Sequence, residues 1–153
     1  MTCGVCDRID MIKSSSNPYF VCELDTGYVV IGDHQHFYGY SLFLCKEHVT
    51  ELHFLPKEIR QKHLEELSLV YEAVYNTFKP EKMNCELLGN GEGGAHMHWH
   101  LFPRNSGDTP QRGPVWRLPD EVLFDEAKRP SPIELEKMKD KLKNEIERII
   151  RAG

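Results

Sequence analysis

The run His96-Met97-His98-Trp99-His100-Leu101-Phe102-Pro103-Arg104 decides how the rest of the chain is read. Successive side chains of a β-strand point to opposite faces, so this pattern puts His96, His98 and His100 on one face and Met97, Trp99 and Leu101 on the other. The apolar face has a core to pack against, and the imidazole face is left for chemistry. A single histidine on a half-buried strand is usually a solvent-facing polar residue. Three in alternation argue for a site, because near neutral pH an imidazole can be a metal ligand, a nucleophile or a proton donor.

The flanks extend the argument. Before the run lies Gly89-Asn90-Gly91-Glu92-Gly93-Gly94, where Gly91, Gly93 and Gly94 permit close backbone approach to a ligand and offer N–H groups to an anion. Arg104, just past the strand, can pair with phosphate or carboxylate; a surface arginine tied to an acidic neighbour is an equal reading.

Further upstream, Tyr19 to Cys45 carries β-branched and aromatic clusters separated by turn residues, the pattern of an antiparallel meander. Leu64, Leu67, Tyr71, Val74 and Phe78 then recur at helical spacing, predicting a long helix from Pro56 to about Lys79-Pro80. Met83–Leu88 and His96–Phe102 read as two more strands. Residues 105–153 form a C-terminal extension: a proline-rich stretch laid over the surface, then a helix opened by Ser131-Pro132-Ile133-Glu134, with Ser as cap and Glu completing a capping box. Its stripe is Leu135, Met138, Leu142, Ile146 and Ile149. The order favours an α+β fold in one domain over 1–153, a mostly antiparallel sheet of about five strands with one long helix packed on it and a C-terminal helix.

At 153 residues the chain can bury one sizeable core and is short for two. With 19 basic and 24 acidic residues its formal charge is −5, which argues against coating nucleic acid. No apolar run suits a membrane span or a signal peptide, so a cytoplasmic protein is expected. Five cysteines without an export signal suggest thiols or metal ligands more than disulfides. Cys3-Gly4-Val5-Cys6 has zinc-binding spacing, and a redox dithiol or a fortuitous pair stays open on spacing alone. Cys22, Cys45 and Cys85 read as small buried hydrophobes on strands.

The His-x-His-x-His run followed by Phe-Pro-Arg resembles the signature of the histidine triad (HIT) superfamily of nucleotidyl hydrolases and transferases, and its downstream Gly113-Pro114-Val115-Trp116 resembles a bacterial diadenosine tetraphosphate hydrolase-like branch. Gly39-Tyr40-Ser41-Leu42-Phe43-Leu44-Cys45-Lys46-Glu47-His48 is similar to that family's Gly-His-x-Leu-x-x-x-Pro-Lys-x-His segment. The resemblance covers roughly residues 19–104. It implies a HIT-like fold in which His98 is the nucleophile that forms a covalent nucleotidyl-histidine, His100 contacts phosphate, and Asn90, with Gly91 and Gly94, lines the phosphates. It also implies Asp33 at the ribose and a homodimer. In zinc-bearing members the N-terminal cysteine pair joins two histidines, here giving a structural site of Cys3, Cys6, His48 and His96, with residues 1–16 as its N-terminal segment. His34 and His36 are second choices, and His53 and His63 are read as ordinary surface or local histidines. One departure is the absence of the family's glutamine after Asn90: only Glu92-Gly93-Gly94-Ala95 intervenes, which leaves the glycine N–H groups as substitutes.

The expected activity is cleavage of a phosphoanhydride or phosphoramidate bond in a nucleoside phosphate, such as a dinucleoside polyphosphate. Two alternatives remain: a nucleotide-binding regulatory protein with little turnover, and a zinc-binding module in which all three histidines are ligands.

Overall fold

A computed structural model describes residues 2–91 and 93–153. Helix α1 (Gly4–Lys13) is followed by strands β1 (Phe20–Glu23), β2 (Gly27–Ile31) and β3 (Ser41–Cys45), the long helix α2 (Lys57–Phe78), strands β4 (Lys82–Glu86) and β5 (His98–Arg104), a short helix α3 (Asp120–Leu123) and the C-terminal helix α4 (Pro132–Ala152). The strands make one five-stranded antiparallel sheet in the order β1-β2-β3-β5-β4, so the fold is α+β as expected.

Register decides what each face holds. Leu42 pairs with His100 and Leu44 with His98 across β3 and β5, while Phe43 pairs with Trp99 on the opposite face. That second face carries Val29, Ile31, Phe43 and Leu101, which α2 and α4 cover with Leu67, Val70, Ala73, Val74, Leu135, Met138, Leu142 and Ile146. Leu101 and Phe43 are fully buried, so truncating either would cost roughly 2–5 kcal/mol. On the histidine face α1 lays Val5 and Ile9 against Tyr28, Val30 and Leu44. The C-terminal extension covers the other part, packing Val115 and Leu118 on Phe37 and Phe102.

Three expectations change. Four of the five stripe residues of α2 pack on the core, Leu67 and Val74 buried and Tyr71 and Phe78 partly so, but Leu64 is exposed, while His63 and Glu66 are buried beside Leu67 and Val70. His63 is therefore not a surface histidine. Its Nδ1–H donates to Thr26 Oγ1 at 2.8 Å, Thr26 Oγ1 donates to Glu66 at 2.5 Å, and Trp99 Nε1–H donates to His63 Nε2 at 3.0 Å. Glu66 also accepts the backbone N–H groups of Asp25 and Thr26. With every polar atom paired, a charge and an imidazole are tolerated in the core. At α4, Ser131 caps by accepting from Glu134 N, but the Glu134 carboxylate accepts from Tyr38 Oη instead of closing the capping box. Cys85 is exposed, because β4 is an edge strand, whereas Cys45 is buried.

Candidate functional site

The two N-terminal cysteines sit at the start of α1, where Cys3 is the cap residue and its Sγ accepts from Cys6 N at 3.3 Å. His48 follows β3, and His96 lies just ahead of β5. Cys6 Sγ is 3.1 Å from His48 Nδ1 and 3.4 Å from His96 Nδ1, and Cys3 Sγ is 3.6 Å from His96 Nδ1. The four ligand atoms all lie within 4.8 Å of one another. Tetrahedral zinc, with its ordinary bond lengths to sulfur and nitrogen, sets ligand atoms roughly 3.3–3.8 Å apart, so two thiols and two imidazoles gathered within 4.8 Å would hold one after small side-chain adjustments. His96 adds a supporting contact: its Nε2–H donates to Cys45 O at 2.7 Å, which leaves Nδ1 bare for a metal. Burial pushes the His96 imidazolium pKa down, which keeps that ring neutral. His34 and His36 are elsewhere, bonded to Glu126 and to the Asp108 carbonyl.

His98 and His100 lie outside this cluster, both half-buried on the same sheet face. His98 Nδ1 is 2.7 Å from the His96 carbonyl. A carbonyl only accepts, so Nδ1 carries the proton and Nε2 keeps its lone pair. His100 is next along the face, with ring centroids 4.8 Å apart, and its Nδ1 is 2.7 Å from Tyr40 Oη. Burial, and after it the neighbouring His98, lowers the His100 pKa to about 4, so this ring is neutral near pH 7. A cavity of about 280 Å³ lies on the other side of Tyr40, lined by Val30, Tyr40, Leu42, Leu44, Leu123 and Phe124, with Arg8, Asp33 and His34 also on its wall; neither His98 nor His100 lines it. Its size is at the small end for ligand pockets, and its floor is β2 and β3, whose Leu42 and Leu44 pair with His100 and His98.

The other expected residues divide. Asn90, Gly91 and Gly94 occupy the loop leading to His96; Gly94 has φ +93°, and the space above Gly91 and Gly94 is open. Asp33 reaches the cavity, but both its oxygens accept from Arg8, at 2.8 and 2.5 Å, and Arg129 is 3.6 Å away. Arg104 is not brought to the histidines. It lies six residues further along β5, roughly 20 Å from His98, and its guanidinium is spent on Asp108, Asn84 and the Gly113 carbonyl. Arg104 and Asp108 are both largely buried, so this pairing locks the extension to the sheet. A larger open groove of about 840 Å³ along β4 contains Arg104 and Glu86 but neither His98 nor His100.

The buried imidazoles predict an acid-labile fold. His63 and His100 both have folded pKa values below the unfolded value of about 6.5, so the unfolded chain takes up protons first. Their contribution is present above about pH 6.5 and is lost as pH falls toward 4; for His100 it is of order 3 kcal/mol. Urea midpoints measured at about pH 7 and pH 5 should drop at the lower pH, and the drop should shrink in His100→Gln, a change that leaves the metal ligands alone.

The sequence matches the HIT domain family over residues 19–107. The chain belongs to the HIT family. No curated protein matches it. Among solved structures, this HIT chain is similar to a histidine triad protein from Marinobacter aquaeolei, with 25% identity, TM-score 0.70, and 84% of this chain and 88% of that one covered. It also resembles a Zn-bound histidine triad family protein from Mycobacterium smegmatis (19% identity, TM-score 0.64, 100% and 99% covered). A third is a diadenosine triphosphate hydrolase from Plasmodium falciparum (15%, TM-score 0.57, 86% and 78% covered).

Within this HIT site, two participants escaped the sequence reading. Arg8 is one of many surface-type charges on a short helix, and nothing in its neighbours marks it as the partner of Asp33. Tyr40 did leave a signal, because it stands where the family segment carries histidine.

Proposed function

We propose that this HIT protein is a nucleotide hydrolase or nucleotidyl transferase that cleaves a phosphoanhydride or phosphoramidate bond of a nucleoside phosphate through a covalent nucleotidyl-His98. The observation that carries this reading is the bond from His98 Nδ1–H to the His96 carbonyl, which leaves Nε2 as a bare nitrogen beside His100. In the first step the Nε2 lone pair forms a bond to phosphorus, and the bond to the leaving oxygen or nitrogen breaks, its electron pair departing with that atom. The imidazolium so formed keeps its Nδ1–H on a carbonyl, which stabilises the positive charge. In the second step water or another acceptor forms a bond to the same phosphorus while the P–Nε2 bond breaks, its electron pair returning to Nε2, and the acceptor's proton passes to solvent, so that His98 regains its starting state. His100, Asn90 and the N–H groups of Gly91 and Gly94 are assigned to the phosphate oxygens, where negative charge builds up.

Cys3, Cys6, His48 and His96 would hold zinc as a closed structural site, whose chemistry when bound is to cross-link the start of α1 to the entry of β5. Because His96 also supplies the carbonyl for His98, this cross-link bears directly on the orientation of the nucleophile. The Zn-bound relative lends support to the metal, and the diadenosine triphosphate hydrolase relative lends support to a dinucleoside polyphosphate as substrate.

Incubation with diadenosine polyphosphates and with an adenosine phosphoramidate tests the activity: at least one should be cleaved faster by wild type than by His98→Ala. If neither is, the enzymatic reading is wrong. We also propose that the nucleoside occupies the cavity over Leu42 and Leu44, with Asp33 reaching the ribose once Arg8 yields. Arg8→Ala should then lower KM a few-fold with kcat little changed, as expected when a competing partner of one carboxylate is removed. An unchanged or raised KM would remove Asp33 from the ribose site. The dimer expected of the family is checked by sedimentation at micromolar concentration.

A further inference from the structure

We propose that Tyr40 is a positioning residue that holds His100 in the tautomer opposite to that of His98, so that the site presents a bare nitrogen and an N–H side by side. Both histidines use Nδ1 to bond a fixed oxygen at 2.7 Å, yet the two oxygens differ in kind. His98 meets a carbonyl, an acceptor only, and so must be protonated at Nδ1. His100 meets a phenol, which can donate. The Tyr40 hydroxyl is kept protonated by burial, which raises its pKa well above the ordinary tyrosine value. Among the described residues, its hydroxyl has His100 Nδ1 as its hydrogen-bond partner. A buried O–H needs an acceptor, so Tyr40 donates to Nδ1 and the proton of neutral His100 resides on Nε2.

Ring geometry agrees. The Tyr40 and His100 planes are nearly parallel, 12° apart with centroids at 6.0 Å, and the rings meet through the hydroxyl and Nδ1 at 2.7 Å. Tyr40 is itself held in place by its neighbours. One face stacks on Phe102 at 4.2 Å and 7°, and the ring also lies so close to Gly32 that a Cβ there would sit 2.2 Å from Cδ2. Gly32 thus leaves room for a flat ring where any side chain would displace it.

The consequence for chemistry rests on the hydrolase reading. Phosphorus needs a lone pair and its oxygens need a donor; two histidines in the same tautomer would supply only one of these. Long-range ¹H–¹⁵N correlation spectra of the zinc-loaded protein near pH 7 read each ring without any substrate. Wild type should show His98 protonated at Nδ1 and His100 at Nε2. In Tyr40→Phe, which keeps the ring stack, His98 should be unchanged while His100 becomes a mixture of tautomers. Turnover of whichever substrate the wild type cleaves should fall by about tenfold or more with KM little altered, less than the 10²–10³ typical of deleting an oxyanion donor outright. A wild-type His100 protonated at Nδ1, or a His100 pattern unchanged by Tyr40→Phe, overturns the proposal. A chain with the expected spectra that cleaves neither class of substrate overturns the hydrolase reading and leaves the tautomer assignment standing.

Discussion

His98→Ala should reduce turnover of the cleaved substrate by at least about 10³-fold, while nucleotide affinity stays within a few-fold of wild type. The size of this effect follows from what the side chain does. His100 is the neighbouring imidazole, but Nε2 of His98 is the lone pair aligned by a backbone carbonyl. Removing it returns the reaction to direct attack by water, and the remaining donors supply binding without a nucleophile. Affinity survives because the cavity over Leu42 and Leu44 is untouched. Rapid-quench assays with mass measurement of the protein provide the sharpest check: wild type should gain one nucleotidyl group in the first turnover, and His98→Ala should gain none. A variant within tenfold of wild type would displace His98 as the attacking group.

The second large effect is on stability. Cys3→Ser and Cys6→Ser should each lose about one zinc per chain, whereas His98→Ala should retain it, and stability should fall by at least about 3 kcal/mol, or roughly 10 °C in Tm for a chain of this length. The cluster joins residues far apart in sequence: Cys3 and Cys6 on α1, His48 after β3 and His96 before β5. Without a metal, the contact of α1 with the rest rests on a small apolar patch, Val5 and Ile9 on Tyr28, Val30 and Leu44, together with the Arg8 to Asp33 pair. Because Arg8 is substantially exposed, that ion pair adds little. Loss of activity should accompany loss of zinc, since His96 carries both a ligand nitrogen and the carbonyl that orients His98. Zinc lost in His98→Ala but kept in Cys3→Ser would reverse the assignment of the two jobs.

The alternation around His98 was enough to foresee which residues share its face, because the strand period is two and the intervening residues are large and apolar. The antiparallel sheet, the two long helices and the Ser131 cap were legible for the same kind of reason: each follows from a short-range periodicity or a local hydrogen bond. The burial of His63 and Glu66 on α2 was not, since an apolar stripe ignores them, and they are buried only because Thr26 and Trp99, remote in sequence, complete their hydrogen bonds. Arg104 shows the same limit from the other side. Its place after the strand suggested a phosphate, but four residues later Asp108 turns back to take the guanidinium.

By itself the sequence determined the kind of protein, an α+β HIT chain, and the chemical types on the histidine face. Tertiary structure alone decided which oxygen meets each imidazole. A tautomer is set by whether the partner at 2.7 Å can donate or only accept, and that partner is brought in from another strand or from a backbone carbonyl, which no side-chain pattern encodes.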